Sequence, residues 1–596
     1  MKLVAEARKT GLQLSVADVF QHPRLWALAK RGVVNSKPPE IDVPPFSLTG
    51  NMPALLDDLV TVLSGYGLDK QAIEDAYPCT PLQEGLISLT TRRPGDYVLQ
   101  TTLRLSPDID LSRFRAAWEF IVQSCAILRT RIIYHDTYGL LQIVIKEEAG
   151  WIDVDTLGHY LEEDQKTKMG LGKPLTQYAL VHDLKTSQKL FVWTVHHALY
   201  DRTSQSLIFG LLNSIYNGTP ITPYREYKYF IRYTLDQSDE TAKVYWGSEL
   251  LDFQSVSFPS LPLSIQEPRA DSTLERFCAL QPIETPDITM ATVVRAAWAM
   301  VAHSRSGAAD VVFGTTLSGR DAPVAGIESI IGPTIATLPT RVLVESEATV
   351  ANYLQGIQTK MMELFPYQQT GLQKIAGISA AAKQACTFQT LLIIQPAEGD
   401  ESKSSSLGAW QNETSTQAFS SYGLTLNCYL SEEGITTIAD YDSRILDPWT
   451  MQMVLDQFRF LMQALAIADP NKVLGSIDVF APNELEVLWD WNSKVPIAVE
   501  KCLHELFEDQ VQARPHAPAI HAWDGALTYS ELDNMATGLA HQLVSIGVGP
   551  GNIVPLCFEK SMWTSVAMLA VFKAGGAICM LDPTHPESRL RTIVQQ

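Results

Sequence analysis

The sequence predicts an α/β protein of several globular units, and three observations lead to this prediction. The chain has 596 residues, which is more than one hydrophobic core usually organises. From residue 73 to about residue 480, apolar runs typical of strands alternate with amphipathic helical patterns, which indicates an α/β domain of at least two lobes. The last hundred residues change to a different α/β pattern. We therefore expect three or four globular units.

The composition excludes several classes of function. Apolar residues make up 46% of the chain and charged residues 19%, as in ordinary folded proteins. The formal net charge of -20 argues against binding to nucleic acid or to anionic membranes, because such binding needs a basic surface. No uninterrupted apolar stretch is typical of a membrane span. We therefore expect neither nucleic acid nor a membrane as a partner.

The eight cysteines are scattered singly and form no Cys-x-x-Cys pair. This spacing predicts free thiols in a reducing compartment, hence a cytoplasmic protein. It predicts neither a disulfide framework nor a zinc site, and no metal is expected.

The first 72 residues contain short helical patterns and a linker. Residues 1–10 and 15–20 predict two helices, which Gly11 and Pro23 end. Two such helices cannot bury a core alone. Residues 33–47 contain four prolines without a hydrophobic period, which predicts a semi-rigid linker, and a helical patch follows at residues 54–63.

The large region that begins at residue 73 contains the clearest periodic patterns. Helices are predicted at residues 112–124, 290–303 and 447–466, and strands at residues 140–145, 190–195 and 311–315. The strand at residues 190–195 ends in the sequence His196-His197-Ala-Leu-Tyr-Asp201. An imidazole there can accept a proton from a nucleophile or orient it, and a carboxylate nearby can brace the loop through an ion pair. A histidine pair after a strand is by itself more often structural than catalytic, so other motifs must decide.

Several motifs occur in the order and spacing of one known family. They are Tyr77-Pro-Cys-Thr-Pro-Leu-Gln-Glu-Gly, Leu128-Arg-Thr-Arg, His196-His-Ala-Leu-Tyr-Asp201, the run from Ser318 to Arg341, Pro366-Tyr-Gln-Gln-Thr-Gly and, more weakly, residues 441–445. Together they resemble the condensation domain of a fungal-type non-ribosomal peptide synthetase. A single His-His-x-x-x-Asp motif would be weak evidence, but ordered matches across residues 75–480 are specific.

The flanking segments resemble other domains of the same synthetases. Residues 1–31 resemble the second half of a peptidyl carrier (thiolation) domain, whose phosphopantetheine serine is then expected outside this chain. Residues 500–596 resemble the opening of an adenylation domain, whose phosphate loop, base contacts and catalytic lysine are expected beyond Gln596, so the ATP site is incomplete. The predicted organisation is carrier remnant 1–31, linker 32–72, condensation domain 73–484 with lobes at about 73–250 and 251–484, linker 485–499 and adenylation segment 500–596.

This resemblance implies a fold and an activity. The fold is a pair of chloramphenicol-acetyltransferase-like lobes forming a V. The histidine loop, residues 196–201, lies at their junction. Donor and acceptor carrier domains of neighbouring synthetase modules present thioesters on phosphopantetheine arms. The donor is a peptidyl or aminoacyl group, the acceptor is an aminoacyl group, and the reaction forms an amide bond.

The resemblance also implies roles for the motif residues. His197 contacts the attacking amine as a general base or by positioning it, and His196 is mainly structural. Asp201 pairs with an arginine to hold the loop, and Arg129 is the candidate partner. The family usually has glycine where this chain has Arg202. A long cationic side chain there either narrows the substrate tunnel or points away from it.

Alternatives remain open at this point. One is a non-catalytic module that docks carriers, in which Arg202 has ended the chemistry. Another is a coenzyme-A-dependent acyltransferase of the plant type, although its Asp-Phe-Gly-Trp-Gly motif is absent from the sequence. An epimerisation domain shares the histidine motif, but the following adenylation-like segment favours condensation. The sequence after Thr80 favours a D-configured donor without deciding it.

Overall fold

The structure is a computed structural model. It describes residues 62–183, 186, 188–285, 287–396, 404–411 and 421–595, together with residues 6–7, 12–14, 18–19, 25–31, 33–34, 42–49 and 59. The chain forms two compact units, Met1–Val487 and Leu488–Gln596. The histidine loop belongs to the first unit.

The first elements are two short antiparallel strands, β1 (Leu12–Gln13) and β2 (Val33–Val34), and the helix α1 (Leu25–Arg31) between them in sequence. The helices predicted at residues 1–10 and 15–20 lie largely outside the described residues, and their described parts, residues 6–7 and 18–19, are helical. Helix α1 was not predicted, because Pro23 was taken as the end of the helical pattern.

The predicted linker 32–72 is partly packed against the following domain. The helical patch expected at residues 54–63 lies mostly outside the described residues. Its described residues include Leu59 and Leu63, which are fully buried in a cluster with Ile73, Ile133 and Ile143. Apolar side chains therefore attach the end of this segment to the three-stranded sheet of the first lobe.

The first lobe has two antiparallel-rich sheets and several helices. β3, β6 and β5 form a three-stranded antiparallel sheet, and β4, β9, β8 and β7 form most of a six-stranded sheet in which only β7 and β8 are parallel. The elements in chain order are β3 (Ile73–Pro78), α2 (Pro81–Arg92), β4 (Val98–Leu105), α3 (Leu111–Ser124), β5 (Thr130–His135), β6 (Gly139–Ile145), β7 (Trp151–Val154), α4 (Leu157–Lys166), β8 (Thr176–Asp183), β9 (Gln188–His196), α5 (Arg202–Asn217) and α6 (Lys228–Leu235).

The second lobe is built on a six-stranded mixed sheet with the strand order β10-β17-β16-β13-β11-β12. Its helices include α8, which is buried along most of its length because it is apolar on nearly every side. The elements are α7 (Asp239–Glu249), β10 (Ser272–Ala279), α8 (Met290–Ser306), β11 (Asp310–Leu317), β12 (Ala336–Leu343), α9 (Val350–Leu364), α10 (Leu372–Ala376), α11 (Ala380–Ala385), β13 (Thr390–Pro396), β14 (Ser404–Ser405), β15 (Gly408–Gln411), β16 (Leu424–Leu430), β17 (Gly434–Tyr441), α12 (Pro448–Ile467) and α13 (Pro482–Asn492).

Two segments connect the lobes. Helix α7 precedes the predicted lobe boundary at residue 250, yet its Trp246 packs with Val312 and Leu338 of the second lobe. Conversely, β15 leaves the second lobe and pairs antiparallel with β4, and β14 pairs with β15, so the larger sheet of the first lobe has six strands. These two added strands cover the edge of β4, which would otherwise be open.

The second unit is smaller. Its parallel strands β20 and β21 are connected through α16, and β18 and β19 form a hairpin. The elements are α14 (Leu503–Ala513), β18 (Pro518–Ala522), β19 (Gly525–Thr528), α15 (Tyr529–Ser545), β20 (Ile553–Cys557), α16 (Met562–Lys573), β21 (Ala577–Leu581) and α17 (Glu587–Gln595).

The elements predicted within the large region are confirmed in type, with ends that differ by a few residues. Helix α12, for example, begins after Asp447, whose carboxylate accepts hydrogen bonds from the first turn, and Pro448 occupies the first helical position. Within the segment 485–499, which was predicted as a linker, α13 continues to Asn492. Proline at its first position and a following run without glycine favour a helix there.

Candidate active site

The histidine loop begins where the buried strand β9 ends. Strand β9 lies between β4 and β8 in the sheet, and its last residue is His196. The backbone amide of His196 donates to Leu175 O at 2.8 Å, and that of His197 donates to Tyr97 O at 2.8 Å. The sheet therefore fixes the backbone of both histidines before the chain turns.

His196 is completely buried, and both of its ring nitrogens are bonded within the protein. Nδ1 accepts the amide proton of Ala198 at 3.1 Å, so Nε2 carries the ring proton and donates to Thr90 Oγ1 at 2.7 Å. Burial lowers the pKa of His196 to about 3, with a further contribution from His197. The imidazole is thus neutral and structural in its contacts.

His197 has the opposite arrangement. Its Nδ1 lies 2.8 Å from the carbonyl oxygen of Tyr200, and a carbonyl only accepts, so Nδ1 carries the proton. The basic nitrogen of the neutral ring is consequently Nε2. Burial lowers the pKa of His197, while the Tyr200 carbonyl and the charge of Asp201 act in the other direction. The ring is therefore neutral at pH 7.

Asp201 caps helix α5 and joins the two lobes. Its Oδ1 accepts from the amide of Ser204 at 2.7 Å, and its Oδ2 accepts from the amide of Thr334 at 3.0 Å. Arg320 Nη2 donates to both oxygens, at 3.0 and 3.1 Å. Because Asp201 and Arg320 are 2% and 7% exposed in their side chains, this is a buried ion pair between the histidine loop and the second lobe.

The predicted pairing of Asp201 with Arg129 is wrong. Arg129 is buried in the first lobe, where it pairs with Glu74 and donates to the carbonyl oxygens of Val122 and Ile145. These bonds connect the end of α3 to strands β3 and β6. The arginine of the Leu-Arg-Thr motif therefore holds the first lobe together and does not reach the histidine loop.

The loop that carries Arg320 needs a glycine before it. Gly319 has φ of +67°, and a Cβ atom there would lie 1.9 Å from the carbonyl oxygen of Thr334. Arg320 Nη1 donates to the carbonyl oxygens of Ile327 and Ile330, at 2.8 and 3.0 Å. The quoted motif Ser318-Gly-Arg-Asp thus supplies the actual partner of Asp201.

Gln83 is a supporting residue that the sequence did not single out. The capping box between Thr80 and Gln83 starts helix α2, as the order Thr-Pro-Leu-Gln favours. The amide group of Gln83 then donates to Gln142 Oε1 at 2.8 Å and to the carbonyl oxygen of Ala198 at 2.9 Å. The spacing of Thr80 and Gln83 was a sequence signal for the capping box. Nothing in the sequence indicated that Gln83 also donates a hydrogen bond to the histidine loop.

His197 lines a cavity of about 350 Å³ between elements of both lobes. Much of its wall is apolar, with Leu82, Leu86, Leu89, Tyr97, Leu99, Ile335, Leu391, Ile393, Tyr422 and Tyr429 contributing. Such a wall suits a slender organic chain, with a few polar groups to orient it.

A second cavity of about 680 Å³ adjoins the first. The two share five lining residues, Arg202, Thr316, Ile335, Ile393 and Gln395. The guanidinium carbon of Arg202 lies 5.3 Å from the ring centroid of Tyr429 in β16. Arg202 therefore lies where the two cavities meet.

Three further features concern the described part of the chain. No cluster of three or more histidine, cysteine, aspartate or glutamate side chains among these residues could hold a metal ion. None of the helices that the structure describes is long and apolar enough to cross a membrane. All eight cysteines are free thiols.

Comparison with known families explains this arrangement. The family model described as condensation domain matches residues 73–489, and the model described as AMP-binding enzyme matches residues 507–596. The first match covers most of the chain.

Relatives that align along the whole of this chain are found among fungal synthetases. The chain is 44% identical over 603 residues to the nonribosomal peptide synthetase TES of Alternaria alternata and 43% identical over 599 residues to the peramine synthetase ppzA of Metarhizium rileyi. Both alignments cover 100% of this chain, but only 12% and 21% of the respective relatives.

Solved structures show the same fold at low sequence identity. A holo four-domain nonribosomal peptide synthetase bound to AMP and glycine has a TM-score of 0.64 and 16% identity, covering 88% of this chain and 43% of that one. The starter condensation domain of the rhizomide synthetase RzmA has a TM-score of 0.56 and 19% identity, covering 68% of this chain and 99% of that one.

The chain therefore belongs to the condensation-domain family of nonribosomal peptide synthetases, whose members form amide bonds. The predicted fold class is confirmed, and the AMP-binding match covers only the last part of the chain. Modules of these synthetases use phosphopantetheine on carrier domains. The coenzyme-A-dependent acyltransferase alternative gains no support from these matches.

Proposed function

We propose that this condensation domain joins a carrier-bound peptidyl or aminoacyl thioester to a carrier-bound aminoacyl group. The observation that supports the proposal is the state of His197. Its Nδ1 donates to the Tyr200 carbonyl, its basic nitrogen is Nε2, and the residue lines the cavity between the lobes. The second cavity adjoins the one that His197 lines, and we assign the two cavities to the two substrate arms.

The proposed step is balanced in atoms and charge. The acceptor amine attacks the thioester carbonyl carbon, a C–N bond forms and the C–S bond breaks. His197 Nε2 takes the proton that the nitrogen loses, or holds the amine in place, and the proton ends on the departing sulfur. Since the ring is neutral at pH 7, it is in the form that can accept.

The other motif residues position this histidine. We assign His196 and Asp201 to the support of the loop, because both are buried and bonded to neighbouring protein groups. Arg129 supports the first lobe alone. Arg202 lies in the wall of both cavities, which favours the interpretation that it narrows the passage.

The proposal extends to the neighbouring segments and the location. Residues 1–31, 73–484 and 500–596 are assigned to a carrier remnant, the condensation domain and an adenylation segment, with neighbouring synthetase modules as partners. The carrier serine and a complete ATP site are expected outside this chain.

Incubation of the chain with a phosphopantetheinyl transferase should thus give no mass increase, and amino-acid-dependent pyrophosphate exchange should stay at background. The free cysteines support a cytoplasmic location.

The direct test uses the full chain with two separately purified carriers that have been chemically loaded. We expect a new amide on the acceptor carrier by mass spectrometry, and none when the acceptor amine is acetylated. Carriers that bind the chain without forming an amide would contradict the proposal and support the alternative of a non-catalytic docking module.

A further inference from the structure

Arg295 is a buried cation for which the proposed mechanism has no use. It lies in the second turn of helix α8, is 9% exposed and lines the second cavity. Its Nη1 donates to the carbonyl oxygen of Ala291 in its own helix at 3.2 Å. Because a carbonyl group has no formal charge, this bond does not neutralise the charge of the guanidinium. Its Nε has no hydrogen-bond partner in the described part of the chain.

A carboxylate would be the usual companion of such a group. No ion pair joins Arg295 to an acidic side chain among the residues that the structure describes, whereas Arg320 in the same cavity wall is paired with Asp201. Burial lowers the pKa of Arg295 to about 10, so the side chain remains a cation at neutral pH. An unpaired buried charge lowers the free energy of unfolding, so a bound group that compensates the charge would explain why an arginine occupies this position.

The surroundings of Arg295 favour an anion. The N-cap Thr289 and two residues of the first turn of helix α8, Ala291 and Thr292, line the same wall, and a helix N-terminus attracts negative charge. The charged residues that line the cavity are three arginines and two aspartates. This positive excess occurs in a chain whose net charge is -20.

We infer that Arg295 and the first turn of α8 form an anion site in the second cavity, which binds an oxyanion carried by a substrate. Two groups have this chemistry, the phosphate of a phosphopantetheine arm and a carboxylate on the acyl or aminoacyl group. The inference rests on the proposed function, in which carrier-bound substrates bring these groups into the cavity.

The test replaces the cation by a neutral side chain of similar length. In Arg295→Met, the free protein should gain thermal stability, with a Tm higher by about 2–4 °C, because an uncompensated buried charge is removed. Phosphopantetheine or a carboxylate-bearing thioester should bind about tenfold more weakly. Arg295→Lys should keep most of the affinity.

Calorimetric titrations of the full chain would use two matched pairs of probes. Phosphopantetheine against pantetheine tests the phosphate, and succinyl-pantetheine against butyryl-pantetheine tests a carboxylate. The control Arg232→Met removes an exposed arginine of α6 that pairs with Asp236, and it should leave every affinity unchanged. His197→Ala should also retain the anion preference, which separates this site from the catalytic assignment.

Either source supports the inference if the preference for the charged probe disappears in Arg295→Met alone. Affinities that are the same for charged and uncharged probes, or that do not change in Arg295→Met, would overturn it. So would a fall in Tm, since it would show a structural role. Amide formation by the wild-type chain in those cases would leave the proposed function intact, whereas anion binding without amide formation would refute the function alone.

Discussion

Two groups of polar side chains at the histidine loop and the neighbouring second lobe differ in the protein partners that hold them. The brace consists of His196, Asp201 and Arg320, whose side chains are buried and bonded to one another or to nearby protein groups, although Asp201 and Arg320 also border the second cavity. The second group, His197, Arg202 and Arg295, also lines the cavities, but its members belong to neither the buried ion pair nor the hydrogen bonds of His196. We assign the brace mainly to the stability of the fold and the second group to contacts with substrate. Stability and activity should therefore respond separately to substitutions in the two groups.

The largest effect on stability is expected from the brace. Asp201→Ala leaves Arg320 as an uncompensated buried cation, so the free energy of unfolding should fall by about 3–5 kcal/mol. Urea unfolding of the full chain measures this loss. The control Asp236→Ala breaks an exposed ion pair and should cost less than about 1 kcal/mol. Equal losses in the two variants would show that the pair between the lobes does not brace the loop.

The second prediction concerns the loss of stability at acidic pH that is caused by the buried His196. The folded pKa of His196 is about 3, below the ordinary value of 6.5, so the unfolded chain binds the proton first as the pH falls. This histidine therefore contributes stability above pH 6.5 that is progressively lost towards pH 3. Between pH 7 and pH 5 the loss should be about 2 kcal/mol.

His196→Gln removes that titration while keeping a polar side chain in place. Urea unfolding at the two pH values should then show a weaker dependence on pH in the variant, although the variant is less stable at pH 7. An unchanged difference between pH 7 and pH 5 would mean that other groups cause the acid sensitivity.

The smallest effect is expected from Arg202 in the cavity wall. Removing bulk beside the reacting groups should restore their approach, so Arg202→Gly should speed single-turnover transfer several-fold without raising stability. Arg202→Lys keeps a long cation and should stay near the wild-type rate. Equal or slower transfer in the glycine variant would show that the arginine is accommodated.

Local sequence patterns were sufficient for most of the fold. The strand that carries His196 was predicted because its apolar run is continuous, and helix α12 because its apolar residues follow a helical period. Strands β14 and β15 were missed because two to four residues are too short for a period. Their pairing with β4 is decided by tertiary structure.

The candidate site was predicted less completely, because its contacts also depend on tertiary structure. The motif located His197 and Asp201, but the partner of Asp201 is 119 residues away on another lobe, and no local pattern distinguishes Arg320 from Arg129. Both arginines lie within motifs that resemble those of the same family. Only the folded chain shows which one faces the helix that Asp201 caps.

The central claim is that His197 acts on the amine while its neighbour holds the loop. The most direct measurement compares His197→Ala with His196→Ala in single-turnover transfer between chemically loaded carriers and in urea unfolding. We predict that His197→Ala slows transfer about 100-fold to 10,000-fold with a loss of stability below about 1.5 kcal/mol, whereas His196→Ala loses more stability. Near wild-type transfer by a folded His197→Ala protein would contradict the account.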